Sequence, residues 1–373
     1  MQLTVKKSAI ESAAKNLSKV IVPNNSLPIL SCILCEVSDT RITMTASDAE
    51  TYIITDVDLE TMEGEGRFCV DAKKLIDALA QLPEQTITIL ATTESDNRFI
   101  IRHQNGETFF VLQSADDFPT NTIDKYQSTV TIPGGILKKA LKRSIWATGH
   151  DDLRPVMNGV YICATDVDDI DIVASDGHVL VRNTLEYQAD GAEIDAIIPK
   201  KAAKIIADLL QDDCSAKLLF CENRGSVETD GYDINFKLIE GKYPKYQSVI
   251  PQDGNKHAVV DRRNLINCMK SVLPFTSDSS KQVRMTFRED TLTIQGEDFD
   301  FAEGANNSMA CEYKDEMFAI GVKGTSVLQI LKLMPDTVDV TMKNPDTAIV
   351  FEPNEQDENI DLLMMAMPMI ISD

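Results

Sequence analysis

The chain has 373 residues, 43% apolar and 25% charged, the balance of folded globular protein rather than of a disordered segment. Asp plus Glu number 59 against 36 Lys plus Arg, and the net charge of −23 excludes a generally basic surface for coating nucleic acid or anionic membrane. No run approaches the ~20 apolar residues of a membrane span; the stretch Leu362 to Ile371 is short and broken by Pro368. Met1-Gln-Leu-Thr-Val-Lys-Lys opens directly in a strand-like pattern, with no cleavable apolar region after it. The eight scattered Cys are therefore expected to be reduced thiols of a cytoplasmic protein.

In chain order, apolar residues at helical spacing (Ile10, Ala13, Ala14, Leu17) predict a helix over Ser8 to Val20. A strand-like run, Ile42 to Asp48, leads to a second helix over Asp71 to Leu82, stopped by Pro83. Two β-rich runs follow, ending at Phe118-Pro119. The pattern then recurs: a helix from Pro133 through Ile136, Leu137, Ala140 and Leu141, a run from Ile170 to Asp176, a helix from Pro199 to Leu210, and a close at Tyr243-Pro244. A third copy has a helix from Asp261 through Leu265, Ile266, Met269 and Val272, a run from Thr291 to Glu297, a helix from Gly324 to Met334 and a close at Met367-Pro368. Ser8, Pro133 and Asp261 are suited to caps or first turns. Corresponding landmarks lie 124 to 128 residues apart. The recurrence predicts three α+β units, each an antiparallel sheet with two helices, over 1–125, 126–252 and 253–373. The polar segments 121–128 and 251–257 are the expected boundaries.

Charge is not spread evenly. Over 8–20, 71–82, 133–147, 199–210, 261–273 and 323–334, the six helical segments carry a formal +11 together, so the rest of the chain carries −34. Helix propensity favours Lys and Arg, but it favours Glu equally, and Glu11 is the sole Glu there. Cationic helices gathered on one side of an acidic assembly suit a polyanion held inside, while the acidic exterior repels other nucleic acid.

Other chemistries find little support. Ser175, Asp176 and His178 are the residue types of a hydrolase triad, yet near-consecutive turn residues cannot aim three side chains at one point, so a hairpin turn is expected. Asp166, Asp168, Asp169 and Asp171 lack the Gly and closing Glu of an EF-hand and read as a solvated acidic turn. Cys32-x-x-Cys35 has no second pair, and the four His are widely spaced, so no structural zinc or other cofactor is expected. No phosphate-binding Gly-x-x-x-x-Gly-Lys-Ser/Thr loop is present. Trp146 is expected to pack at a helix end rather than stack on a base.

The chain resembles the bacterial DNA polymerase III β subunit family, the sliding clamps. The resemblance is carried by Leu27-Pro28-Ile29-Leu30, Asp117-Phe118-Pro119, Asp152-Leu153-Arg154, Asn158-Gly159, Ser175-Asp176-Gly177-His178, Ile198-Pro199-Lys200-Lys201, Glu240 to Tyr246 and Met367-Pro368-Met369. It implies a non-catalytic, head-to-tail homodimer closed into a ring of six domains. Helices line the hole, double-stranded DNA threads it without sequence readout, and a clamp-loader ATPase opens it. The ring tethers the replicative polymerase and recruits mismatch-repair and translesion proteins through short linear motifs. A nucleoid-associated cytoplasmic location is implied as well.

The resemblance also implies site residues. The DNA-facing set is Lys15, Lys19, Lys73, Lys74, Lys138, Lys139, Lys142, Arg143, Lys200, Lys201, Lys204, Arg262, Arg263, Lys270, Lys323 and Lys332, with Arg154 in a loop near DNA. Pro155 and Val156 stand where relatives often carry two aromatics, and Asn24, Asn25 and Ser26 where some carry Arg. The partner-peptide groove takes Gln and bulky apolar side chains. Its walls are Met157, Ser175, Gly177, His178, Val179, Leu180, Pro244, Ser248, Val249, Ala348, Met365, Met367, Pro368 and Met369. Its Met side chains suit several partners. Val179 replaces an Arg common in relatives, and the tail runs on through Ile370 to Asp373, which together imply an altered peptide preference. Ring closure is assigned to Phe109, Phe110 and Leu112 on an edge of the first domain and to Leu273 and Phe275 in the third.

Overall fold

The computed structural model describes residues 1–23, 27–92, 97–119, 125–164, 169–187, 190–191 and 193–371. Among these are six α-helices: α1 (Lys7–Leu17), α2 (Ala72–Ala80), α3 (Gly134–Ile145), α4 (Lys200–Leu209), α5 (Arg262–Val272) and α6 (Gly324–Leu333). All six fall inside the expected segments or within one residue of them.

The ends differ from the sequence expectation for local reasons. Past Leu17, the amides of Lys19 and Val20 bond back to Asn16 and Leu17, three residues earlier, so the α ladder tightens and stops. Pro133 closes the strand Ser128–Pro133, and the helix begins at Gly134. A Cβ at Gly134 would collide with Cys214 Sγ, which makes glycine necessary there. Asp261 caps α5 as expected, accepting from the Asn264 amide at 2.8 Å. Asp71 caps α2 in the same way, through the Lys74 amide at 2.8 Å.

The described residues form two compact units, one chiefly Met1–Lys138 with Lys201–Leu238, the other chiefly Lys139–Ala189 with Ile239–Asp373. Each contains one five-stranded and one nine-stranded sheet, and every strand pairing among the described residues is antiparallel. In the first unit, the nine-stranded sheet joins two repeats where Thr51–Asp58 pairs with Asp233–Lys237, Tyr52 opposite Asn235. In the second, the seam pairs Val179–Leu185 with Ile360–Ala366, Leu180 opposite Met365. Strand alternation puts one set of side chains on each face of this sheet. One face carries Val179, Val181, Met364 and Ala366 into a large core with Phe287, Tyr313 and Phe351. The other carries Leu180, Leu363 and Met365 into a smaller cluster with Tyr243, Tyr246 and Ile250. Trp146 packs against the large core, as expected of a helix-end residue. All eight Cys carry free thiols. No helix among the described residues is long and apolar enough to cross a membrane.

Candidate nucleic-acid and peptide interfaces

Each helix turns its small and apolar side chains inward, and most of its cations stand on the opposite side; Lys7 and Arg143 are the buried exceptions among the described residues. In α4, Ala202, Ala203, Ile205 and Ile206 are buried while Lys204 is exposed. Lys73, Lys74, Lys142, Lys204, Lys270, Lys323 and Lys332 are exposed and form no ion pair among the described residues.

The remaining expected cations are engaged. Lys15 meets Glu11 at 2.7 Å and Lys19 donates to the Asp208 carbonyl at 3.4 Å. Lys138 pairs with Asp212 at 2.8 Å, and Lys139 and Arg143 both pair with Asp357 at 2.7 Å. Arg262 and Arg263 share Asp336, at 2.6 and 3.2 Å. Lys201 binds Asp48 and the Val20 carbonyl. Lys200 lies 2.9 Å from His150 Nε2, and burial lowers its pKa. Arg154 pairs with Asp151 at 3.0 Å.

Arg143 corrects the sequence reading: it is 6% exposed, held under Asp357 rather than presented to solvent. Burial pushes the Asp357 carboxyl up, but hydrogen bonds from Lys139 and Arg143 outweigh it and the net shift is downward. Asp336 is lowered by the Arg262 hydrogen bond and by the charge of Arg263. Asn24, Asn25 and Ser26 lie outside the described residues.

The residues expected to wall a peptide groove lie in the second unit. Ser175, Asp176, Gly177 and His178 form the hairpin turn between Ile170–Ser175 and Val179–Leu185. Asp176 Oδ1 accepts from the amides of His178 and Val179 at 2.8 and 2.9 Å, and Ser175 Oγ donates to the Val179 carbonyl at 2.7 Å. These bonds occupy the Ser175 and Asp176 side chains in turn formation, while His178 takes part through its amide. Gly177 takes φ +91°, a conformation that favours glycine, and a Cβ there would lie 3.3 Å from Arg154 Nη1 and 3.9 Å from Met157 Cε. Arg154 and buried Met157 thus flank the turn.

Leu180, Ala348 and Met365 share one apolar cluster. Pro244, Ser248 and Val249 stand exposed next to its members Tyr243, Tyr246 and Ile250. Val179 does not join them. It points through the opposite face into the large core, because neighbouring residues on a strand alternate. After Met365 the chain changes sheets. The Met367 amide donates to the His178 carbonyl at 2.7 Å, and Pro368–Met369 then pairs with Phe318–Lys323. Met367 is left 36% exposed, and Met369 is half-buried.

Residue-by-residue reasoning missed a polar network behind this cluster. Tyr246 donates to Asp171, Thr184 donates to Asp171 at 2.5 Å, and Cys163 Sγ lies 3.5 Å from the Tyr246 hydroxyl. Tyr161 and Tyr243 stack at 4.5 Å. Burial raises the tyrosine pKa values and pushes the Cys163 thiol up to about 11. Asp171 is therefore a bonded strand residue, not part of a solvated turn; Asp166 and Asp168 lie outside the described residues.

Gly106–Val111 is the outer strand of the first unit's five-stranded sheet, with Phe109 62% exposed and Phe110 stacked on Phe99 at 5.0 Å. Arg98 lies 5.6 Å over the Phe109 ring. Leu112 is buried, a core residue rather than a contact surface. In the second unit, Phe275 is exposed and Leu273 packs against the large core. Glu303–Ala310 is the outer strand there.

Three consecutive blocks of the chain match the DNA polymerase III beta subunit: residues 1–124 its N-terminal domain, 131–245 its central domain and 247–368 its C-terminal domain. Among relatives, the beta sliding clamp of Haemophilus influenzae is 23% identical over 98% of this chain and 100% of its own. That of Chlamydia pneumoniae is 26% identical over 100% of both. Among solved structures, the beta subunit of Pseudomonas aeruginosa bound to griselimycin superposes with a TM-score of 0.94 at 23% identity, covering 100% of each chain. The Thermotoga maritima beta subunit gives 0.90 at 20% identity, again over 100% of each.

Proposed function

We propose a working assembly from one premise: this chain belongs to the DNA polymerase III beta subunit family, and its function is that of a non-catalytic DNA sliding clamp that tethers the polymerase. In the proposed assembly, two copies join head to tail into a ring of six domains, with the divisions at 1–125, 126–252 and 253–373. The helix cations face a threaded duplex. Phosphates are the part of DNA common to every sequence, so loose contacts from mobile lysines hold the duplex central without fixing a register. Closure, rather than tight binding, retains the ring.

The observation that carries this reading is charge placement. In a chain of net charge −23, exposed lysines without ion pairs among the described residues recur on α2 to α6. Lys73, Lys74, Lys142, Lys204, Lys270, Lys323 and Lys332 are the proposed phosphate contacts; Arg143 is left out because it is buried. The outer strand Gly106–Val111 with Phe109, and Phe275 in the turn Leu273–Phe275 that follows α5, are the proposed subunit contacts. The cluster of Leu180, Ala348 and Met365, with Met157 and Met367 at its margin, is the proposed peptide groove. A griselimycin complex is recorded for a relative, and we place the equivalent binding face here. A clamp-loader ATPase and mismatch-repair and translesion proteins are the proposed further partners, at a cytoplasmic, nucleoid-associated location.

The test is topological. Protein loaded on a nicked circular plasmid is expected to stay at high salt and to leave when the plasmid is cut to a linear form. Equal loss from both forms would mean ordinary electrostatic binding and would end the ring reading.

A further inference from the structure

Two carboxylates outside the helices each hold a pair of helix cations. Asp336, in the segment after α6, accepts from Arg262 at 2.6 Å and Arg263 at 3.2 Å, both in the first turn of α5. Asp357, between strands Ile349–Pro353 and Ile360–Ala366, takes Lys139 and Arg143 of α3, each at 2.7 Å. Nearby on the same helices, Lys142 and Lys270 are exposed and unpaired among the described residues.

Helix stabilisation accounts for only one of these arrangements. A carboxylate near a helix N-terminus opposes the positive end of the macrodipole, which suits Asp336. Asp357 engages Arg143 in the last turn of α3, where the dipole disfavours an anion. Its placement follows the cations instead.

We propose that Asp336 and Asp357 are internal counter-ions that withdraw Lys139, Arg143, Arg262 and Arg263 from the duplex, leaving the grip to unpaired lysines such as Lys142 and Lys270. The proposal rests on the DNA-facing role given to the helices above. Its physical basis is ion exchange. When a free lysine meets a phosphate, the duplex gives up a condensed counter-ion and entropy rises. When a cation already held by Asp changes to a phosphate, the vacated carboxylate takes up a solvent cation, and the net release is close to zero. The paired cations therefore keep the lining positive enough to exclude protein anions while adding little affinity and little friction.

The test measures binding of the full chain to a short labelled linear duplex across a salt series, by fluorescence anisotropy. Asp336→Asn, which frees Arg262 and Arg263, is expected to steepen the slope of log affinity against log salt by about one to two, at about 0.9 per phosphate contact, and Asp357→Asn, which frees Lys139 while Arg143 stays buried, by about one. Affinity at low salt is expected to rise roughly tenfold for each variant. Asp357→Asn leaves the buried Arg143 without its partner; if that variant fails to fold, Asp336→Asn, at an exposed site, carries the test alone. Lys142→Glu with Lys270→Glu reports separately on the DNA-facing role and is expected to weaken binding. If the lysine variants weaken binding but the Asp variants leave the slope unchanged, the counter-ion idea is overturned and the DNA-facing reading stands. If the lysine variants bind as the parent does, both fall.

Discussion

The two seams between repeats, one in each unit, share a backbone and differ in chemistry. At the first, Ser47 to Glu50 make the same turn as Ser175 to His178: Asp48 accepts from the Glu50 and Thr51 amides at 3.1 and 2.7 Å, as Asp176 does from His178 and Val179. Ala49 has φ +80° where Gly177 has +91°. The Lys237 amide reaches the Glu50 carbonyl at 2.9 Å, as Met367 reaches His178 at 2.7 Å. The side chains then diverge. Tyr52 faces Asn235 at the first seam, whereas Leu180 faces Met365 at the second. Asp48 is tied down by Lys201, whereas Asp176 has no ion-pair partner among the described residues. Duplication has kept the ladder and the turn, and replaced the surface that a greasy peptide would need.

The largest expected effect tests the shared part. Phe236 and Phe351 are fully buried, one in each unit, and truncating either to Ala should cost about 3–5 kcal/mol in denaturant unfolding. A large loss at one and none at the other would break the equivalence of the two cores. The next tests the divergent part. Carrying the first seam's pair into the second, Leu180→Tyr with Met365→Asn, should lower affinity for a labelled peptide bearing Gln and bulky apolar residues at least about tenfold, since an amide replaces an apolar wall. Unchanged affinity in an anisotropy titration would remove these residues from the groove.

Acid sharpens the contrast further. Asp357 has a folded pKa below its unfolded value, so its stabilising contribution is complete above the ordinary carboxylate pKa and disappears as pH falls through the depressed one. The side chain is 36% exposed, and after allowing for solvent screening the contribution is about 1 kcal/mol. Asp357→Asn should remove that part of the acid limb in a stability–pH series; an unaltered limb would show that the pair contributes nothing. The smallest effect concerns the turns. Gly177→Ala should destabilise by about 1 kcal/mol, while Ala49→Gly, which relieves the same positive φ, should be neutral or mildly stabilising. Equal signs in thermal unfolding would refute the matching of the turns.

Much of the fold was readable from the sequence because helix periodicity and repeat spacing are local signals. Ile10, Ala13, Ala14 and Leu17 are buried where their spacing places them. The site was readable only in part. A motif such as Gly177-His178-Val179-Leu180 presents neighbours as one group, and only the strand's alternation sends Val179 and Leu180 to opposite faces. The partner of Arg143 lies 214 residues away, beyond any local pattern, so its burial under Asp357 could not be anticipated from a basic helix alone. The Asp171–Tyr246 bond, between residues 75 positions apart, escaped for the same reason.

The second seam has a mechanical consequence. Seven consecutive residue pairs, from Val179 opposite Ala366 to Leu185 opposite Ile360, join two repeats by the same ladder that runs inside each. Tension applied along these strands loads the cross-strand hydrogen bonds together in shear rather than peeling them one by one. The joint behaves as a continuous plank, without a hinge pin, and bending strain is distributed over the breadth of the sheet.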